Sequence, residues 1–157
     1  MDTKTACTII VPTDLSDQTR PLLEFAIQQP HECGGRVILT HVVHIGEHVW
    51  AMLARSYDTS EMEEKLKAMA DSVLKELTDS HGTDEHPFTF ETQVHWGDPA
   101  DVILSVAKVE KASQIVMGRH ATGAMKGFFL GSTADKVLRG AHCVVSVLPM
   151  APLPEDD

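Results

Sequence analysis

The chain has 157 residues, 43% of them hydrophobic, and a formal net charge of −10. That length suits one domain with a sizeable core. The acidic balance argues against a broad nucleic-acid surface or an anionic-membrane surface, since both need clustered cations. No apolar run approaches the roughly 18 residues of a membrane span, and residues 1–5 show no basic or apolar export signal. The three cysteines, Cys7, Cys33 and Cys143, are odd in number and match no metal or redox spacing. Cys7 and Cys143 sit in apolar runs and are expected to be buried packing residues. A reducing, cytoplasmic setting is expected.

The chain opens its order with Thr8-Ile-Ile-Val11, a β-branched run that reads as a first strand. Residues 17–33 follow with a helical pattern carried by Leu22, Leu23, Phe25, Ala26 and Ile27. Pro21 must lie in or near the first turn, and Cys33-Gly-Gly35 is expected to stop the helix. Residues 36–43 read as a second strand, and 44–58 as irregular or loosely helical. Residues 59–80 give the clearest helix, with Met62, Leu66, Met69, Val73, Leu74 and Leu77 at three- and four-residue steps. Residues 88–94 alternate as a third strand, expected toward a sheet edge.

Asp98-Pro99 then reads as a helix start, aspartate at N-cap and proline at N1, with the helix running to about residue 111. Its inward residues are expected to be Val102, Ile103, Val106 and Ala107. Gln114-Ile-Val-Met117 reads as a buried fourth strand, followed by a glycine-rich loop to Ser132. Ser132 reads as the cap of a helix ending near Gly140, with Asp135 completing a capping box. A fifth strand covers residues 143–148, and an acidic, proline-rich tail is expected to fray. Strands alternating with helices imply an α/β fold with a parallel sheet and helices on both faces. One domain is expected over 1–150, with the tail at 151–157. Strand five has no sequel, so Val144, Val145, Ser146, Val147 and Leu148 form an apolar edge that invites pairing with a second copy.

The loop between strand four and the helix at Ser132 is the most informative stretch. Glycines bring backbone N–H groups close, and a helix N-terminus favours negative charge. The loop therefore points to a phosphate-bearing ligand. Other chemistries find no support. There is no phosphate-binding G-x4-G-K-(S/T) motif, no G-x-G-x-x-G after strand one, and no nucleophile–base pair by spacing. His41, His44 and His48 invite a metal, but no carboxylate or cysteine completes a usual ligand set.

Six pieces in order resemble the universal stress protein family. They are Ile9-Ile-Val-Pro-Thr-Asp-Leu-Ser16, Leu39-Thr-His-Val-Val43, Trp96-Gly-Asp-Pro-Ala100, Ile115-Val-Met-Gly-Arg-His120, Leu130-Gly-Ser132 and Ala141-His-Cys-Val-Val-Ser-Val147. The resemblance implies a single open parallel five-stranded sheet in the order 3-2-1-4-5, the adenine-nucleotide-hydrolase-like arrangement. Ligands of such sheets bind at the switch point beyond the strand ends, here between Pro12-Thr13-Asp14 and Met117-Gly118. The family's ATP binders are similar to G-x2-G-x9-G-(S/T). This chain reads Gly118-x2-Ala121-x9-Gly131-Ser132, with alanine in place of the second glycine.

The resemblance implies ATP, or AMP or ADP, with Mg2+ accompanying the nucleotide. Adenine would lie near Val42 and Asp14, and phosphates at Gly118, Arg119, His120 and Ala121 and at Gly131, Ser132 and Thr133. Each residue has a plainer alternative: Asp14 as a turn residue, Val42 as core, Ser132 as a helix cap, Arg119 and Lys126 as solvated loop charges. His120 either meets the sugar or ends the strand. The function implied is a homodimeric regulatory module that responds to stress, with no catalysis beyond slow ATP hydrolysis. The competing reading is a protein of the same fold with an empty site, acting through dimerisation and protein partners.

Overall fold

The computed structural model of the protein describes residues 7–29, 35–44, 58–81, 88–119 and 130–149. The described strands are β1 (Cys7–Thr13), β2 (Gly35–Val43), β3 (Phe88–Trp96), β4 (Gln114–Arg119) and β5 (Val144–Pro149). The described helices are α1 (Thr19–Ile27), α2 (Ser60–His81), α3 (Pro99–Val109) and α4 (Ser132–Gly140). The five strands form one parallel sheet in the order β3-β2-β1-β4-β5. β1 lies at its centre, and β3 and β5 form its edges.

Alternation along the strands divides the core in two. Ile9, Val11, Val37, Leu39 and Val116 face α1 and α2, meeting Leu22, Leu23, Ala26, Leu66 and Val73. Ile10, Ile38, Ile115 and Met117 face α3 and α4, meeting Ala100, Ile103, Val106, Ala107, Ala134 and Val137. Strands buried on both faces need near-continuous apolar runs, and β1, β2 and β4 have them. Of the inward set expected on α3, Ile103, Val106 and Ala107 are buried, while Val102 is only half-buried and Ala100 takes its place in the core.

Polar ties fix the helices along the sheet. Arg20 contacts both Glu24 and Glu76, joining α1 to α2. Arg36 on β2 grips Glu91 of β3 through two bonds of 2.8 and 2.9 Å and Glu110 at the end of α3 at 2.9 Å. Gln93 donates to Glu110 at 3.1 Å. The Arg36 guanidinium holds the Glu91 carboxyl below its ordinary range, chiefly by hydrogen bonding. Both carboxylates in turn raise the Arg36 pKa further.

Three expectations need correction. α1 spans Thr19–Ile27, shorter than residues 17–33. Its apolar face is spent by Ile27, so Gln28 and Gln29 close it with backbone bonds to Glu24, Phe25 and Ala26. Cys7 and Cys143 are half-buried rather than buried. The Cys7 thiol lies 2.9 Å from the Ser113 hydroxyl, and burial pushes the Cys143 thiol up. Ser132 is not the cap of α4: Gly131 holds that place, with no side-chain cap, and Ser132 is the first helical residue. The Asp135 carboxylate accepts from Arg139 instead of closing a capping box. Cys33, His48, His120, Ala121, Lys126 and the 151–157 tail lie outside the described residues.

Candidate nucleotide-binding crevice

At the carboxyl ends of β1, β2 and β4 lies an open crevice of about 500 Å³. Its position follows from topology. The chain leaves β1 on one side and β4 on the other, so the connections part and leave a gap. Of the twelve residues singled out by sequence, nine line it: Pro12, Thr13, Asp14, Val42, Met117, Gly118, Gly131, Ser132 and Thr133. Arg119 does not, and its Nε is buried without a hydrogen-bond partner. His120 and Ala121 lie outside the described residues.

One wall is the turn after β1. The Leu15 amide donates to Thr13 Oγ1 at 2.9 Å, and Thr13 Oγ1 also meets Thr19 Oγ1 at the start of α1. The Ser16 amide and hydroxyl both donate to Asp14 Oδ1, at 2.9 and 2.5 Å. This is an Asx turn, so the turn role of Asp14 is realised while its carboxylate also borders the crevice. Leu15 between them has φ +67°, a left-handed value that costs a branched side chain free energy. Its side chain packs on the α1–α2 core, which offsets that cost. The turn is thus held from both sides.

His41 ties β2 to the same turn. Its Nδ1 lies 2.8 Å from the Thr13 carbonyl. A carbonyl only accepts, so Nδ1 carries the proton, which removes that nitrogen from metal ligation. Among the described residues no group of three His, Cys, Asp or Glu side chains is placed to hold a metal.

The opposite wall is the start of α4. Gly131 adopts φ +90°, ψ +149°, a region open in practice to glycine alone. A Cβ built there would meet nothing within 4 Å, so glycine is needed for its backbone and not for space. The first α4 bond runs from the Asp135 amide to the Gly131 carbonyl at 3.0 Å. The preceding amides of Ser132, Thr133 and Ala134 have no acceptor within the helix. All three residues line the crevice. The arrangement presents a row of N–H donors and the positive end of a helix dipole to it.

Between the walls the floor is largely apolar, built of Val42, Pro99, Ile103, Met117, Leu130 and Ala134. Gln18, Thr19, Leu22, Thr40 and His41 complete the lining. Sequence reasoning missed these and the α3 contribution. The signal for Gln18 and Thr19 was their place just after the β1 turn. Pro99 and Ile103 gave none, because they look like an ordinary helix start and core position. The crevice therefore pairs an apolar floor with a carboxylate on one wall and anion-favouring donors on the other. That combination fits an amphipathic ligand with a ring and an anionic group.

Comparison with known proteins agrees with this geometry. The model of the universal stress protein family matches residues 7–149. Universal stress protein MJ0531 of Methanocaldococcus jannaschii is 30% identical over 140 residues, covering 89% of this chain and 80% of its own. A universal stress protein solved in complex with cAMP superposes with a TM-score of 0.58 at 20% identity, over 93% of this chain and 98% of that one. A universal stress protein family protein of Arabidopsis thaliana, solved with AMP bound, gives a TM-score of 0.51 at 17% identity, covering 96% and 97%. The family match over nearly the whole chain, the sheet order and the switch-point crevice agree: this chain belongs to the universal stress protein family.

Proposed function

We propose that the crevice binds an adenine nucleotide and that the protein is a nucleotide-responsive regulatory module rather than an enzyme. The observation that carries the reading is the opposition of Asp14 on the β1 turn to the uncapped start of α4 across an apolar floor. Fold neighbours solved with AMP and cAMP support it. In this reading adenine packs on Val42 and Met117, and the Asp14 carboxylate accepts from the sugar or the base edge. Phosphate oxygens accept from the amides of Gly131, Ser132 and Thr133, with Gly118 letting the backbone approach closely. His120 and Ala121, next in the family's loop pattern, are proposed to continue this phosphate side, while Arg119 stands outside the crevice. ATP with Mg2+ is the ligand that the Gly118-x2-Ala121-x9-Gly131-Ser132 spacing favours, and AMP and ADP share its base and sugar contacts.

Isothermal titration with AMP and with ATP, each with and without magnesium, tests the reading. Saturable heat at submillimolar ligand is expected. No heat from either nucleotide at millimolar concentration overturns it.

The module is proposed to act as a cytoplasmic homodimer. β5 is a sheet edge, and its Val144 is 62% exposed. An exposed apolar edge strand is a template for pairing, and two copies meeting at β5 would cover it. Light scattering is expected to give twice the chain mass, and a monomeric mass overturns this part. Among the described residues no helix is long and apolar enough to cross a membrane.

A further inference from the structure

Among the described residues, one buried polar side chain bordering the crevice is left unanswered by its own fold. Thr40 is fully buried, lines the crevice, and its Oγ1 has no hydrogen-bond partner. The contrast with Thr19, also buried at the crevice, is direct, because the Thr19 hydroxyl meets that of Thr13. A buried hydroxyl without a partner costs free energy, and native folds hold few of them. Something other than the chain's own stability accounts for a threonine where valine has the same shape.

Its place says what that is. Alternation along β2 puts Thr40 between Ile38 and Val42 on the face toward α3 and α4. Pro12 is its register partner on β1, Val42 follows it on the same face of β2, and Pro99, Ile103, Met117 and Leu130 complete the apolar part of the crevice. The anion-favouring donors of α4 and the Asp14 carboxylate lie on the walls. Thr40 thus sits under the part of the crevice suited to a flat ring and not to phosphates. No hydrogen bond holds its χ1, and a strand allows more than one staggered rotamer. One staggered step about χ1 carries the hydroxyl to the place its methyl group held, so the hydroxyl can be re-aimed without breaking a hydrogen bond. A hydroxyl both donates and accepts, so it serves a ring nitrogen or an exocyclic amino group.

We infer that Thr40 is a base-recognition residue, its hydroxyl bonding the edge of the heteroaromatic ring that packs on Val42; the inference rests on the nucleotide reading above. Filling a buried hydroxyl's vacant bond raises affinity while its vacancy lowers the stability of the free protein. The two effects have opposite signs on removal, which a merely structural hydroxyl would not show.

The test titrates adenosine, AMP and ATP into the wild-type protein, Thr40→Val and Thr40→Ser, and measures the melting temperature of each free protein. Thr40→Val is expected to bind all three ligands about tenfold more weakly while melting at the wild-type temperature or higher. Thr40→Ser keeps the hydroxyl and is expected to bind as wild type does. Thr40→Ala supplies the hydroxyl-free arm if the valine variant does not fold. Wild-type affinity in the hydroxyl-free variant, a tenfold loss in Thr40→Ser, or a loss seen with ATP but not adenosine would each overturn the inference and leave the nucleotide reading standing. If the wild-type protein binds none of the three, the nucleotide reading fails and this inference falls with it.

Discussion

Helices α3 and α4 start at the same end of the same sheet face, yet they begin in opposite ways. α3 opens with Asp98, whose extended backbone lets its carboxylate accept from the Asp101 amide at 3.2 Å, followed by Pro99 at the first position. One orphan donor is satisfied and another is removed outright. α4 opens with Gly131, which has no side chain to offer, in a backbone conformation that only glycine holds cheaply. Its first-turn amides face the crevice. The first start is closed by its own chain and serves folding. The second is left open, and an open helix start beside a carboxylate and an apolar floor is what an anionic ring-bearing ligand needs. The Asp98 carboxylate and Lys136, 3.8 Å apart, link the two starts.

Substitutions at the two starts should separate these roles. Gly131→Ala is expected to have the largest effect. No atom crowds the new methyl group, so the cost is conformational, on the order of 1–3 kcal/mol. Denaturant unfolding measures it, and AMP affinity should fall as well because the first amides turn away from the crevice. A stable Gly131→Ala protein that binds AMP normally would break the contrast. Asp98→Ala should cost about 1 kcal/mol of stability through the lost cap, with nucleotide affinity unchanged. Ser132→Ala should leave stability within about 0.5 kcal/mol, since its hydroxyl caps nothing, while AMP affinity drops a few-fold. Asp98 and Ser132 thus exchange their signatures, one acting on folding alone and the other on binding alone.

The smallest effect concerns the far edge of the sheet. Glu91 is held below the ordinary glutamate value of 4.5 by the Arg36 guanidinium. A depressed folded value means that its stabilisation is present above 4.5 and is lost as pH falls through that folded value. Glu91→Gln should therefore flatten the decline of melting temperature below about pH 4.5 while changing little at pH 7, because the pair is partly exposed. An acid limb identical to wild type would remove Glu91 from the account.

The same contrast explains which features could be read early. The Asp98-Pro99 start was legible because its chemistry is local: a short acceptor and a proline in adjacent places report on four residues of backbone. Ser132 looked like the same signal and was not. Serine after glycine is compatible with either residue as the cap, and the Gly131 backbone decided it. Among the nine crevice residues found by sequence, Gly118, Gly131 and Ser132 carry local chemistry of their own, Pro12, Thr13, Asp14 and Met117 mark strand ends, and the place of Val42 came only through the resemblance. Ile103 and Thr40 carry none and Pro99 marks only a helix start, and all three enter the site through the packing of α3 over β2. Arg119 shows the converse: its charge and position suggested a phosphate contact, yet it does not border the crevice.

By itself the sequence determined the strands and helices, their alternation and the parallel sheet, because periodicity and apolar runs are properties of neighbouring residues. The strand order 3-2-1-4-5 was legible only through resemblance to a family, since pairing between β1 and β4 joins residues about a hundred positions apart. That the β1 turn and the start of α4 share one site was likewise expected only through that resemblance. Tertiary structure alone decided that Gly131 rather than Ser132 caps the helix, and that a threonine hydroxyl lies unpartnered beneath the crevice. Each is a matter of which groups meet across the fold, and a contact between distant segments leaves no periodic trace in the chain that forms it.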